Sequence, residues 1–256
     1  MNIIYEFEYN YSKFAITELL TYIIFLSNNI MKNAIEALNE HPLFSMLSKE
    51  EHQILLNKSL IKTYKKNDII CKQGDSSDYA VLLLDGYAKL YIEYHNNNEL
   101  VILLGMPKTF VGLFFMIGSD IYPYSLKVVT KTSKCCLIKK SDFIKVTESN
   151  NKFLFNFAKT MGQKSYELAA QLLILDRKNV RGRIAELLLY IADTVFNSDE
   201  FILPLSRKDV ANIVNISTEN TVRILSEFDR DGLISVSNKH IKIINKPLLK
   251  IISDKG

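Results

Sequence analysis

The feature that most restricts how this chain can fold is a change of hydrophobic period partway along it. From Tyr64 to Lys140 the apolar residues come in short β-branched and aromatic runs: DIICKQGDSSD, YAVLLLDGY, AKLYIEYHNNNE, LVILLG, YSLKVV and CCLIKK. Gly74-Asp75, Asp85-Gly86 and Asn96 to Asn98 are where hairpins should close, because Gly and Asn tolerate positive φ. Six to eight short strands over about 75 residues predict a jelly roll or barrel. From Leu154 the period is helical. Leu154, Ala158, Met161, Ser165, Leu168, Leu172 and Leu175 are separated by 4, 3, 4, 3, 4 and 3 residues, a seam for a second helix. An amphipathic helix packed on its own barrel would give the same pattern. The length of the helix, with no partner of matching length before it, favours a dimer seam. Ahead of the strands, Ser48 to Asn57 predicts a capped helix with acidic residues in its first turn.

A chain of 256 residues, 48% hydrophobic and 11% aromatic, can bury a real core and reads as a soluble globular protein. Its net charge of +4 permits an anionic partner without demanding one. Cys71, Cys135 and Cys136 are odd in number and lack C-x-x-C spacing, so neither a zinc framework nor a disulfide scaffold is expected, and a reducing cytoplasm fits. Cys135 and Cys136 are strand neighbours whose side chains face opposite ways. The stretch from Phe14 to Ile30 carries Glu18, and its apolar run from Leu19 to Leu26 is too short to span a bilayer. It reads as a helix packed on the body or on a partner, with no membrane expected; Met31 as the true start is a further alternative.

Near the C-terminus two short helices are specified locally. Ser206 and Asp209 form an S-x-x-D start, Asn215 suits a left-handed turn, Ser217 caps a second helix to about Arg230, and Gly232 stops it. In the second helix Val222 and Leu225 are expected to pack on Val210, Ala211 and Val214. Thr218, Glu219, Asn220 and Arg223 are left facing away. Glu219 and Arg223, four apart, could be only a surface ion pair. LISV and HIKII, with SNK between, predict a hairpin after the helix, hence a winged helix-turn-helix. In that setting Arg223 can grip guanine O6 and N7, and Glu219 can accept from cytosine N4.

With barrel, seam helix and winged motif in that order, the chain resembles the Crp/Fnr family of bacterial transcription regulators over roughly His41 to Lys250. The resemblance is carried by LSRKDVANIVNISTENTVRILSEFDRDGLI, YKKNDIICKQGD and LLLDGYAKLY. It implies an α+β chain: residues 1–40 an N-terminal helical extension, 41–150 a jelly-roll, cyclic-nucleotide-binding-like sensor barrel, 151–176 a dimerisation helix, and 177–256 a winged helix-turn-helix domain. It further implies a homodimer on double-stranded DNA, reading a palindrome with TGA-like half-sites about one turn apart. RNA polymerase would be a partner if the protein activates. Ser206, Ser217, Thr218, Glu219, Asn220, Arg223 and Lys239 are the expected DNA-binding residues; Thr218 stands where the cyclic-AMP-responsive branch has Arg.

Family members that bind cyclic nucleotides carry a Gly-Glu pair for the ribose and an Arg-Ser pair for the phosphate. Here Gly112 is kept, Leu113 replaces the Glu, and Tyr124 precedes Ser125 where the Arg belongs. Losing both polar anchors argues against cyclic AMP in the usual mode. Phe110, Leu113 and Phe114, with Phe115 and Met116, either fill the barrel or take a hydrophobic or haem-like effector, as in a regulator of nitrosative or redox stress. The expected effector residues are thus Phe110, Gly112, Leu113, Phe114, Tyr124 and Ser125. No cofactor is certain, and haem stays open although His41, His52, His95 and His240 are scattered. An iron–sulfur cluster is disfavoured, since the N-terminal cysteine group of the oxygen-sensing branch is missing. A cupin-type barrel enzyme would need convergent His and carboxylate ligands, and the barrel offers only His95, so no catalytic or metal residue is assigned.

Overall fold

The computed structural model describes residues 31–94, 98–113 and 118–256, with the side chains of 171–176 left aside. The sequence expectations for residues 1–30, His95 and Phe114 to Met116 lie outside the described residues. A helix over 31–40 (α1) is followed by α2 (Lys49–Asn57), whose capping box joins Ser48 and Glu51. Eight strands follow: β1 (Leu60–Lys65), β2 (Ile69–Cys71), β3 (Tyr79–Asp85), β4 (Ala88–Tyr94), β5 (Asn98–Gly105), β6 (Thr109–Val111), β7 (Ser125–Val128) and β8 (Thr132–Lys139). Gly74 and Gly86 turn with φ of +91° and +76°, but the hairpins expected there do not form: β2, β3 and β4 alternate between two sheets, and of the three expected hairpins only the β4–β5 pairing is present.

The strands form two four-stranded antiparallel sheets, ordered β1-β8-β3-β6 and β2-β7-β4-β5. They follow the jelly-roll plan but leave open edges instead of closing into one barrel. Strands β3 and β8 are buried on both faces, which is why they read as continuous apolar runs. Val81, Leu83, Cys135 and Leu137 face the core between the sheets, with Leu90 and Leu126. Ala80, Leu82, Cys136 and Ile138 face a second core, built with Leu38, Phe44, Phe143 and Phe153 of the flanking helices. Cys135 and Cys136 therefore point opposite ways, and burial pushes their thiols up to about 12 and about 11.

Helix α3 (Lys140–Ser149) leads into α4 (Asn151–Arg177), the seam helix, 27 residues long. Its first turns bury Phe153 and Phe157, and Met161 is half-buried against the same core. Leu154 and Leu168 are 44% and 41% exposed, and Ala158 and Ser165 are exposed as well. Beyond it lie α5 (Val180–Tyr190), a π-helical turn over Ile191–Phe196, β9 (Glu200–Ile202), α6 (Arg207–Val214), α7 (Thr218–Arg230), β10 (Ile234–Ser237), β11 (His240–Ile243) and α8 (Lys246–Lys255). The hairpin β10-β11 gains β9 as a third strand.

Among the described residues, apolar contacts and a buried ion pair join the two halves. Leu104 and Val129 of the sensor sheet pack into the C-terminal core, and Tyr87 lies 5.6 Å from the Phe196 ring. Lys89 on β4, only 5% exposed, donates to Glu99 on β5 and, at 2.7 Å, to Asp209 on α6. Burial works against the Lys89 charge, but its bonds to Asp209 and Glu99 outweigh it and raise the pKa above the ordinary 10.5. Burial likewise opposes the Asp209 charge, and the Lys89 and Ser206 bonds hold its carboxyl below the ordinary 3.8. Asp209 thus contributes stability that is present above pH 3.8 and lost as acid titrates it, whereas the Lys89 contribution is present below 10.5 and lost in alkali. Removing the cation alone, by Lys89→Ala, should destabilise the chain by about 3 kcal/mol, because buried Asp209 and half-buried Glu99 are left without a counter-ion. Denaturant melts of both proteins would measure this, and Asp209→Asn should recover part of the loss.

Candidate nucleic-acid interface

The start of each of the two short helices is set by a side chain within four residues, and a left-handed residue follows each end. The Ser206 hydroxyl accepts from the Asp209 backbone N–H at 3.1 Å, while the Asp209 carboxylate accepts from the Ser206 N–H at 2.9 Å and its hydroxyl at 2.6 Å. Ser206 is exposed, but its hydroxyl is committed to this cap. Asn215 turns the chain with φ 53° and ψ 58°, and Ile216 N–H donates to the Ala211 carbonyl. The Ser217 oxygen accepts from Asn220 N–H at 3.2 Å, and Gly232, at φ +69°, follows the end of α7.

The inner face of α7 consists of Thr221, Ile224, Leu225 and Phe228, all buried. The expectation that Val222 packs inward is overturned: it is 47% exposed. Thr221 takes the inward place because its hydroxyl donates to the Ser217 carbonyl and leaves no polar group unsatisfied. Glu219, Asn220, Arg223 and Ser226 are exposed, and Thr218 is half-buried. Bonds from its own backbone and from Ser217 hold the Glu219 carboxyl below the usual range, so it is an acceptor at neutral pH.

Arg223 is not paired with Glu219. Its Nη1 donates to Glu227 at 2.6 Å and its Nη2 to Asn220 at 3.4 Å. Glu227 is held in turn by Arg181 of α5 at 2.5 Å, and Arg181 lies 4.9 Å over the Phe228 ring and reaches Asp231. Sequence reasoning missed Arg181 and Glu227, although the Arg223–Glu227 spacing of four was visible. The wing is tied to the same body. Asp229 accepts from Val236 N–H, Arg207 donates to the Asn238 carbonyl at 2.7 Å, and Lys239 donates to the Pro204 carbonyl at 3.0 Å. Burial and then the neighbouring charges of Lys66 and Arg207 lower the Lys239 pKa, so three cations gather beside the wing.

The expected effector residues divide between two cores. Phe110 stacks on Phe44 at 4.3 Å and packs with Leu113 against the helices. Tyr124 lies between the sheets, edge-on to Tyr122 at 5.8 Å, and donates to the Gly112 carbonyl at 3.2 Å. A Cβ on Gly112 would fall 1.7 Å from the Tyr124 hydroxyl, so the tyrosine occupies the space over this glycine. The Ser125 hydroxyl accepts from Gln73 N–H at 3.0 Å. The chain has no arginine before Arg177, so none from the strand region can pair a cyclic phosphate there. These residues do not fit a cyclic nucleotide bound in the usual way. Among the described residues no three His, Cys, Asp or Glu side chains converge for a metal, and no helix is long and apolar enough to cross a membrane. His41 accepts from Leu43 N–H, His52 bonds the Phe44 carbonyl, and His240 bonds Glu200.

Comparison with known proteins agrees with this geometry. The Crp-like helix-turn-helix domain matches residues 182–252, and the cyclic nucleotide-binding domain matches 61–150. The chain is 26% identical over 199 residues to the fumarate and nitrate reduction regulatory protein of Salmonella typhi, covering 75% of this chain and 78% of that one. It is 24% identical over 185 residues to the transcriptional activator protein anr of Pseudomonas aeruginosa, covering 71% and 75%. In fold it is similar to FixK2 from Bradyrhizobium japonicum, with TM-score 0.70, 18% identity and coverage of 76% of this chain and 96% of that one. A CRP-family regulator from Thermus thermophilus gives 0.62, 16%, 75% and 96%. The expected result of titrating millimolar cyclic AMP is an unchanged Tm, since a ligand that does not bind the native state cannot shift its melting. Differential scanning calorimetry checks it.

Proposed function

The chain belongs to the Crp/Fnr family of transcription regulators, and from that membership we propose that it is a homodimer reading a palindromic operator through α7. The observation that carries this is the outward face of that helix: Glu219 and Arg223 are both exposed on a helix whose opposite face is buried in the winged domain. In each half-site Arg223 grips a guanine and Glu219 accepts from a cytosine amino group, within a TGA-like core. Glu227, fixed by Arg181, keeps the guanidinium fork from collapsing elsewhere. Asn220, Thr218 and Ser217 border the helix start and Lys239 the wing, where phosphates would pass. The seam pairs copies of the chain through Leu154, Ala158, Ser165 and Leu168, with Leu172 and Leu175 continuing it in sequence. The exposure of Leu154 and Leu168, on a helix that buries Phe153 and Phe157, supports that use.

The sensor domain responds to a signal other than cyclic AMP held in the usual way, which the tyrosine over Gly112 and the missing arginine support. Binding of the purified chain to operator and to random duplex, by fluorescence anisotropy, tests the reading. Arg223→Ala should lose roughly 5- to 150-fold in preference for the operator in each half-site, from about 1–3 kcal/mol per base pair read. Rising salt should weaken operator and random DNA together. An unchanged operator-to-random ratio in the variant would remove Arg223 from base reading.

A further inference from the structure

The polar face of α7 contains one residue that its neighbours do not account for. Val222 is 47% exposed, while the other large apolar side chains of the helix, Ile224, Leu225 and Phe228, are buried. Positions 219, 222, 223 and 226 follow the i, i+3, i+4, i+7 rule and share one stripe. Glu219, Arg223 and Ser226 are the exposed polar members of that stripe. A solitary valine on a surface is ordinary. Here, however, it is framed by the two groups that can hydrogen-bond base edges. In the major groove the base pairs present donors and acceptors, apart from the thymine C5 methyl.

We propose that Val222 reads a thymine, packing its methyl groups against the C5 methyl of the base beside the guanine held by Arg223. The inference rests on the reading of α7 as a major-groove helix. A valine in a helix keeps one χ1 rotamer, so its methyl groups are set before binding and lose little freedom on contact. The neighbouring turn is also fixed: Thr221 is bonded back to Ser217, and Arg223 is held by Glu227 and Asn220. Cytosine at the same place has no C5 methyl, so the apolar contact with Val222 would be lost there. Val222 thereby favours thymine through the methyl contact alone.

The test uses the full chain and a duplex it enriches from a random pool. Each thymine is replaced singly by deoxyuridine, which removes only the methyl group. One substitution, next to the base whose preference Arg223→Ala abolishes, should weaken binding about fourfold, the value of burying one such group. Val222→Ser, which removes both methyl groups, should bind thymine and deoxyuridine duplexes with equal affinity and keep the wild-type salt dependence, whereas Val222→Thr, which keeps one methyl, should retain part of the preference. Equal binding of every deoxyuridine duplex by the wild-type chain, or a methyl preference that survives undiminished in Val222→Ser, overturns the proposal. A chain that enriches no sequence overturns the groove reading, and this inference with it.

Discussion

The buried cation of Lys89 between Glu99 and Asp209 is the contact on which the relation of the two halves depends. Asp209 serves twice, as the third residue of the capping box that starts α6 and as the counter-ion of a lysine in the sensor sheet. A movement that parted α6 from β4 would leave a lysine and two carboxylates to find other partners, at a cost of several kcal/mol. The apolar contacts around Leu104, Val129 and Tyr87 seat the same face and exclude water from the pair.

The two ends of the chain differ in what their side chains offer a ligand. The reading end keeps a capped helix pair, a wing and an exposed Glu–Arg face. The sensing end keeps the strand plan, but its interior is filled with aromatic residues where a charged ligand would need partners. A shared fold does not carry a shared ligand, since ligand chemistry resides in a few side chains. Tyr124 is one such side chain, filling the space over Gly112 and donating to its carbonyl.

The parts of the fold legible in the sequence are those decided within about four residues. Ser48 with Glu51, Ser206 with Asp209, the left-handed Asn215 and the stop at Gly232 all stand where local chemistry puts them. Apolar runs located the strands, although not their division into two open sheets. Three things were hidden for physical reasons. The Lys89–Asp209 pair joins residues 120 apart, and nothing local marks it. Strand β9 is three residues long, too short for a period. On α7 the apolar character of Val222 suggested an inward face, but the helix is rotated so that Thr221 is inside, its hydroxyl satisfied by the previous turn. Polarity alone misplaces a residue that can bond its own backbone.

The central claim is that this chain selects DNA sequences through the exposed face of α7. Mapping the chromosomal sites bound by the full-length protein, beside those bound by its Arg223→Ala variant, tests that claim most directly. The account expects wild-type sites to share an inverted repeat whose half-sites lie about one helical turn apart, and the variant to lose it. Bound regions with no common motif, or a motif that persists unchanged in the variant, would contradict it.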